Sequence, residues 1–117
     1  MSRNTKRIVS WIKPAWKDFQ SFPHSVQIEI RTALTVVAEG KKPDLAKALK
    51  GFGSGVFEIA LRDRTGAYRV VYALQIGEEI WGLHAFQKKS KFGIRTPKPD
   101  IELIRERIKR VRERLKK

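Results

Sequence analysis

Residues 56–87 carry a period of two that leaves the fold few options. In 56–62, Phe57, Ile59 and Leu61 share one face while Val56, Glu58, Ala60 and Arg62 take the other. In 67–76, Tyr68, Val70, Tyr72, Leu74 and Ile76 alternate with Arg69, Val71, Ala73 and Gln75. The turn formers Asp63-Arg64-Thr65-Gly66 and Gly77-Glu78 separate these runs from each other and from a third at 79–87. Connections this short join antiparallel neighbours, because a parallel crossover needs a dozen or more residues. The stretch predicts a three-stranded meander with an apolar face that something must cover.

The flanking segments supply that cover. Residues 7–12 (Arg-Ile-Val-Ser-Trp-Ile) are rich in β-branched and aromatic types and predict a further strand. Pro14 opens a short helix whose stripe of Ala15, Trp16 and Phe19 ends near Phe22-Pro23. Over 25–39, Val26, Ile30, Ala33, Leu34 and Val37 recur at helical spacing, and Gly40 is a C-terminal stop. Residues 41–50 read as a basic connector with a short helical turn at 45–49, and Gly51, Gly53 and Gly55 then interrupt regular structure. At the far end Thr96 reads as an N-cap and Pro97 as the first helical residue. Ile101, Ile104, Ile108, Val111 and Leu115 follow as a narrow seam that packs on the chain's own sheet. Together these predict one α+β domain over residues 1–117: a mainly antiparallel sheet of about four strands, two N-terminal helices on one face, and a C-terminal helix.

Charge narrows the class of partner. Lys and Arg number 26 against 12 Asp and Glu, a formal net charge of +14. Such a surface draws polyanions, nucleic acid above all, because each neutralised phosphate releases counterions. Other chemistries lack their residues. There is no cysteine for a disulfide or thiolate site. His24 and His84 stand apart from any metal-ligand spacing, and the glycine cluster lacks the Lys-Ser/Thr of a phosphate-binding loop. No apolar run reaches the ~18 residues of a membrane span, and residues 1–13 hold no apolar core of a signal peptide. The expectation is a cytoplasmic protein that needs no metal, cofactor or membrane.

The string Gln87-Lys88-Lys89-Ser90-Lys91-Phe92-Gly93 follows the third meander strand directly. Its Lys88, Lys89 and Lys91, with Arg62 and Arg69 on the strands and Lys50 on the connector, form the candidate anion site. Arg offers a planar bidentate fork to phosphate and Lys a mobile point charge, a combination suited to the anionic transition state of RNA cleavage. Plainer roles stand beside these: a solvated loop for the lysines, an ion pair with Glu58 for Arg69, and core positions for Tyr68, Tyr72, Trp81, His84 and Phe86.

Four pieces in order carry a resemblance: Leu49-Lys50-Gly51-Phe52-Gly53-Ser54-Gly55-Val56-Phe57-Glu58-Ile59, Tyr68-Arg69-Val70-Val71-Tyr72, Leu83-His84-Ala85-Phe86-Gln87-Lys88-Lys89-Ser90, and Thr96-Pro97 before a helix. The chain resembles the phage-derived HigB-like (gene-product-forty-nine-like) toxins of the RelE/ParE superfamily. The resemblance implies a ribosome-associated, metal-independent endoribonuclease that cuts mRNA and is silenced by an antitoxin, often a helix-turn-helix protein of the HigA kind. It places Arg69 and Lys88 or Lys89 at the scissile phosphate. RelE-type nucleases carry lysines on the preceding strand where this chain has Glu58 and Ala60, so Glu58 and His84 are the candidate bases. Two alternatives stay open on the sequence: a ParE-like inhibitor of DNA gyrase, and a non-enzymatic nucleic-acid-binding protein.

Overall fold

Along residues 7–88 and 96–116, which the computed structural model describes, the order is β1 (Val9–Trp11), α1 (Lys13–Gln20), α2 (His24–Ala38), β2 (Ala46–Ala48), β3 (Val56–Asp63), β4 (Gly66–Ile76), β5 (Glu79–Lys88) and α3 (Lys98–Leu115). The alternating runs form the predicted meander. Ile59 faces Val70 and Leu61 faces Tyr68 across β3 and β4, and Val70 faces Ala85 across β4 and β5. β1 adds to β5 in parallel and β2 to β3 antiparallel, so the five-stranded sheet runs β1-β5-β4-β3-β2.

The fifth strand corrects the expectation of four. Residues 45–49 make no helical turn: Ala60 N–H donates to Leu45 O at 3.1 Å and Leu49 N–H to Val56 O at 2.9 Å. The free edge of β3 captured the segment, because Ala46 could bury against the helix-covered core from an extended chain.

Each face of the sheet has its own cover. Phe19, Val26, Ile30, Leu34 and Val37 of α1 and α2 close over Ile59, Leu61, Tyr68, Val70 and Tyr72. On the opposite face Ile104, Ile108 and Val111 of α3 pack on Val56, Val71, Ala73, Trp81 and Leu83. The predicted seam does dock on its own sheet, but only its inner three members are buried; Ile101 is half-buried and Leu115 is 46% exposed. α3 therefore covers only one half of its face.

Two local features set that geometry. Val71 pairs with His84 but Tyr72 with Gly82, so Leu83 is the extra residue of a bulge, and Leu83 and His84 both serve the α3 side. Gly82 is where β1 closes in, since a Cβ there would lie 2.5 Å from the Trp11 ring. The start of α3 also differs from expectation. Its N-cap is Pro97, with no side-chain cap, and helix begins at Lys98 with Pro99 in the first turn. Thr96 does not cap because its hydroxyl is bonded to Glu58.

The closure by α3 is directly measurable. Ile104→Ala should lower unfolding free energy by about 2 to 5 kcal/mol, the range for truncating a fully buried aliphatic side chain. Leu115→Ala should change it by less than about 0.5 kcal/mol. Urea denaturation distinguishes the two, and equal effects would show that α3 is not seated as described.

Candidate active site

Strand parity brings the polar residues together. Across the meander Glu58 faces Val71 and Val71 faces His84; Ala60 faces Arg69 and Arg69 faces Phe86; Arg62 faces Ala67 and Ala67 faces Lys88. Residues directly opposite share a face. Glu58, Arg62, Arg69, His84 and Lys88 thus lie on the face that α3 half covers. Arg69 and Lys88, from different strands, lie on the half that α3 does not cover.

At its centre is an ion pair. Arg69 Nη1 donates to Glu58 Oε1 at 2.7 Å, with both side chains 11% exposed. The second carboxylate oxygen, Oε2, accepts the hydroxyl of Thr96. Glu58 therefore has a donor on each oxygen, which fixes its plane. Arg69, Glu58 and Thr96 also line a cavity of about 550 Å³, together with Ala60, the apolar Leu49 and Ile101, and the exposed cations Lys47 and Lys50.

Lys88 completes the cationic side. It is 8% exposed, and removal from water pushes its ammonium below the usual lysine range. The positive field of Arg69 adds to that push, Glu58 opposes it, and Arg62 adds a smaller share. Lys88 thus shares an electrostatic environment with all three. Arg62 is solvent-exposed, on the same cross-strand row as Lys88.

His84 sits in a different network. Its Nδ1 lies 3.2 Å from Arg107 Nη1, and because a guanidinium only donates, Nδ1 must accept. The ring proton then sits on Nε2 and is donated to Asp100 Oδ1 at 2.6 Å. Both ring nitrogens are engaged with α3, the ring stacks on Phe86 with centroids 4.8 Å apart, and His84 is 5% exposed outside the cavity. The structure brings together Glu58, Arg62, Arg69, Lys88 and Lys50, and it sets His84 apart. Lys89 and Lys91 lie outside the described residues.

Sequence reasoning missed Thr96 and Lys47. Thr96 carries a convincing cap pattern, and nothing in its neighbourhood points to a carboxylate 38 positions away. Lys47 was hidden by reading its segment as a connector; on β2 it stands opposite Glu58. Among the described residues no three His, Asp or Glu side chains gather as a metal site, and no helix is long and apolar enough to cross a membrane.

Comparison with solved structures shows the RelE fold. A mutant of the E. coli toxin RelE in the free state superposes with a TM-score of 0.61 at 18% identity, covering 90% of this chain and 97% of that one. The isolated E. coli RelE toxin in another crystal form gives 0.57 at 14%, covering 86% and 97%. The toxin-antitoxin complex RelBE2 of Mycobacterium tuberculosis gives 0.51 at 15%, covering 77% and 100% of the respective chains. A search of curated proteins finds no match. The family described as "Phage derived protein Gp49-like (DUF891)" matches residues 17–109, a span that takes in every residue of the cavity. The chain belongs to the phage-derived Gp49-like family and has the fold of the RelE toxins.

Proposed function

We propose that this protein is the toxin of a toxin-antitoxin pair and a metal-independent endoribonuclease that cuts mRNA at the ribosome. The observation that carries this reading is the convergence of Arg69, Lys88 and Arg62 on the half-face that α3 does not cover, beside a cavity. The RelE fold supports it, since the solved proteins that share the fold are named as toxins and one of them as a toxin-antitoxin complex.

The chemistry follows from what these groups can do. A scissile phosphate placed at Arg69 is held by its guanidinium fork, with Arg62 on the same face adding positive charge. The adjacent 2′-oxygen attacks phosphorus in line, the bond to the 5′-oxygen breaks, and a 2′,3′-cyclic phosphate forms. One proton leaves the 2′-hydroxyl and one reaches the departing 5′-oxygen. Lys88, on the same face of the sheet as Arg69, is the base in this reading. Its depressed pKa increases the share of neutral amine available to take the 2′ proton. Glu58 then serves to hold Arg69. The antitoxin, a helix-turn-helix protein of the HigA kind, silences the enzyme by covering the cationic half-face.

Purified protein and translating ribosomes provide the test. Arg69→Ala should slow transcript cleavage by about a hundredfold, the scale of losing one charge-stabilising donor. Growth arrest on expression with transcripts intact would contradict the nuclease reading, and a DNA-damage response in those cells would indicate gyrase inhibition instead.

Lys88 gives a pH signature. As a base with a folded-state value below the ordinary lysine one, it should make cleavage rise with pH up to that lowered value and then level off. Lys88→Arg, which keeps the charge, should abolish this limb and cost about a hundredfold in rate. The unfolded chain binds the proton more tightly, so Lys88 makes stability rise with pH between the folded and unfolded values. A limb unchanged in Lys88→Arg would remove Lys88 from proton transfer.

A further inference from the structure

We infer that Thr96 is a positioning residue for Arg69, acting through Glu58, so that the start of α3 sets the direction of the phosphate-binding guanidinium. The inference goes beyond the nuclease reading but takes from it the role of Arg69.

A glutamate side chain with a single partner can turn about its last torsion, which is broad for a bond to an sp² carbon, and its partner turns with it. Glu58 is clamped at both oxygens: Oε1 accepts from Arg69 Nη1 at 2.7 Å and Oε2 accepts the Thr96 hydroxyl. Two donors on opposite oxygens define the carboxylate plane, and that plane fixes the edge that the guanidinium presents to it. The pair is largely buried, so the field between these groups is strong and little water competes for Oε2.

The position of Thr96 gives this contact its reach. It immediately precedes Pro97, the N-cap of α3, whose Ile104, Ile108 and Val111 are anchored on the sheet. Asp100, in the first turn of that helix, is tied to His84 of β5. Thr96 is thus attached to a helix start that is itself pinned, which makes it a stiff support. Thr96, Glu58 and Arg69 all line the same cavity, so a rotation of the carboxylate is felt where substrate would sit.

A double-mutant cycle with two readouts tests this on the full chain. In protein labelled with ¹⁵N-arginine, the Arg69 Nη resonances should show restricted rotation in wild type and in Thr96→Ser, and averaged rotation in Thr96→Val. Cleavage of ribosome-bound transcript should fall about tenfold in Thr96→Val through kcat, be restored in Thr96→Ser, and fall no further when Thr96→Val is added to Glu58→Gln. Thermal denaturation should show a lowered Tm in Thr96→Val, from the unmet Oε2 of Glu58, with a single cooperative transition retained, separating positioning from general loosening. Arg69 resonances unaltered by Thr96→Val would overturn the inference whatever the cleavage rate. So would a Thr96→Val defect that persists in full in the Glu58→Gln background. Failure of the nuclease reading looks different: wild type leaves RNA intact while the Arg69 resonances still respond to Thr96→Val.

Discussion

A partly enclosed guanidinium needs a counter-charge, and in this protein the Arg69–Glu58 pair provides it at the middle of the sheet. Removing either partner would deprive the other of this counter-charge in a largely enclosed setting, a loss that commonly reaches several kcal/mol. The pair lies on the half-face that the C-terminal helix does not cover. It therefore combines a structural demand with a chemical opportunity: the carboxylate holds the cation, and the surrounding Lys47, Lys50 and Arg62 keep the neighbourhood positive enough to receive an anion.

The C-terminal helix decides how much of that face exists. Its three buried apolar residues seal the end of the sheet that carries Val56, Ala73 and Trp81, while its first turn holds His84 through Asp100 and its third reaches back through Arg107 to Leu83 O and His84. The apolar half of the face attracts the helix and the charged half stops it, so the cavity is a consequence of where hydrophobic burial ends.

Much of this was legible in the sequence because it depends on short-range periodicity. The alternation in 56–62 and 67–76 assigns each residue to a face, so Arg69 and Glu58 could be placed on the side away from Ile59 and Tyr72 before any coordinates. The seam of the last helix was visible for the same reason. What escaped depends on distant partners. A three-residue strand such as Ala46–Ala48 has no periodicity of its own and exists because β3 offers it an edge. The bulge at Leu83 leaves no local mark, although it shifts the parity of the strand that carries His84, Phe86 and Lys88. Thr96 satisfied every local rule for an N-cap and was claimed by Glu58 instead, a contact that only the folded chain could reveal. The partners of His84, Asp100 and Arg107, come from another element and could not be read from its neighbours in sequence.

The central claim is that one cationic half-face holds a scissile RNA linkage. Its most direct measurement is NMR titration with a short RNA whose attacking 2′-hydroxyl is replaced by hydrogen, so that it binds but is not cut. The account predicts saturable shifts at Arg69, Lys88 and Arg62 that weaken steeply with added salt. Shifts confined to the outer surface of the C-terminal helix, or spread over the whole basic surface without a focus on those side chains, would contradict it.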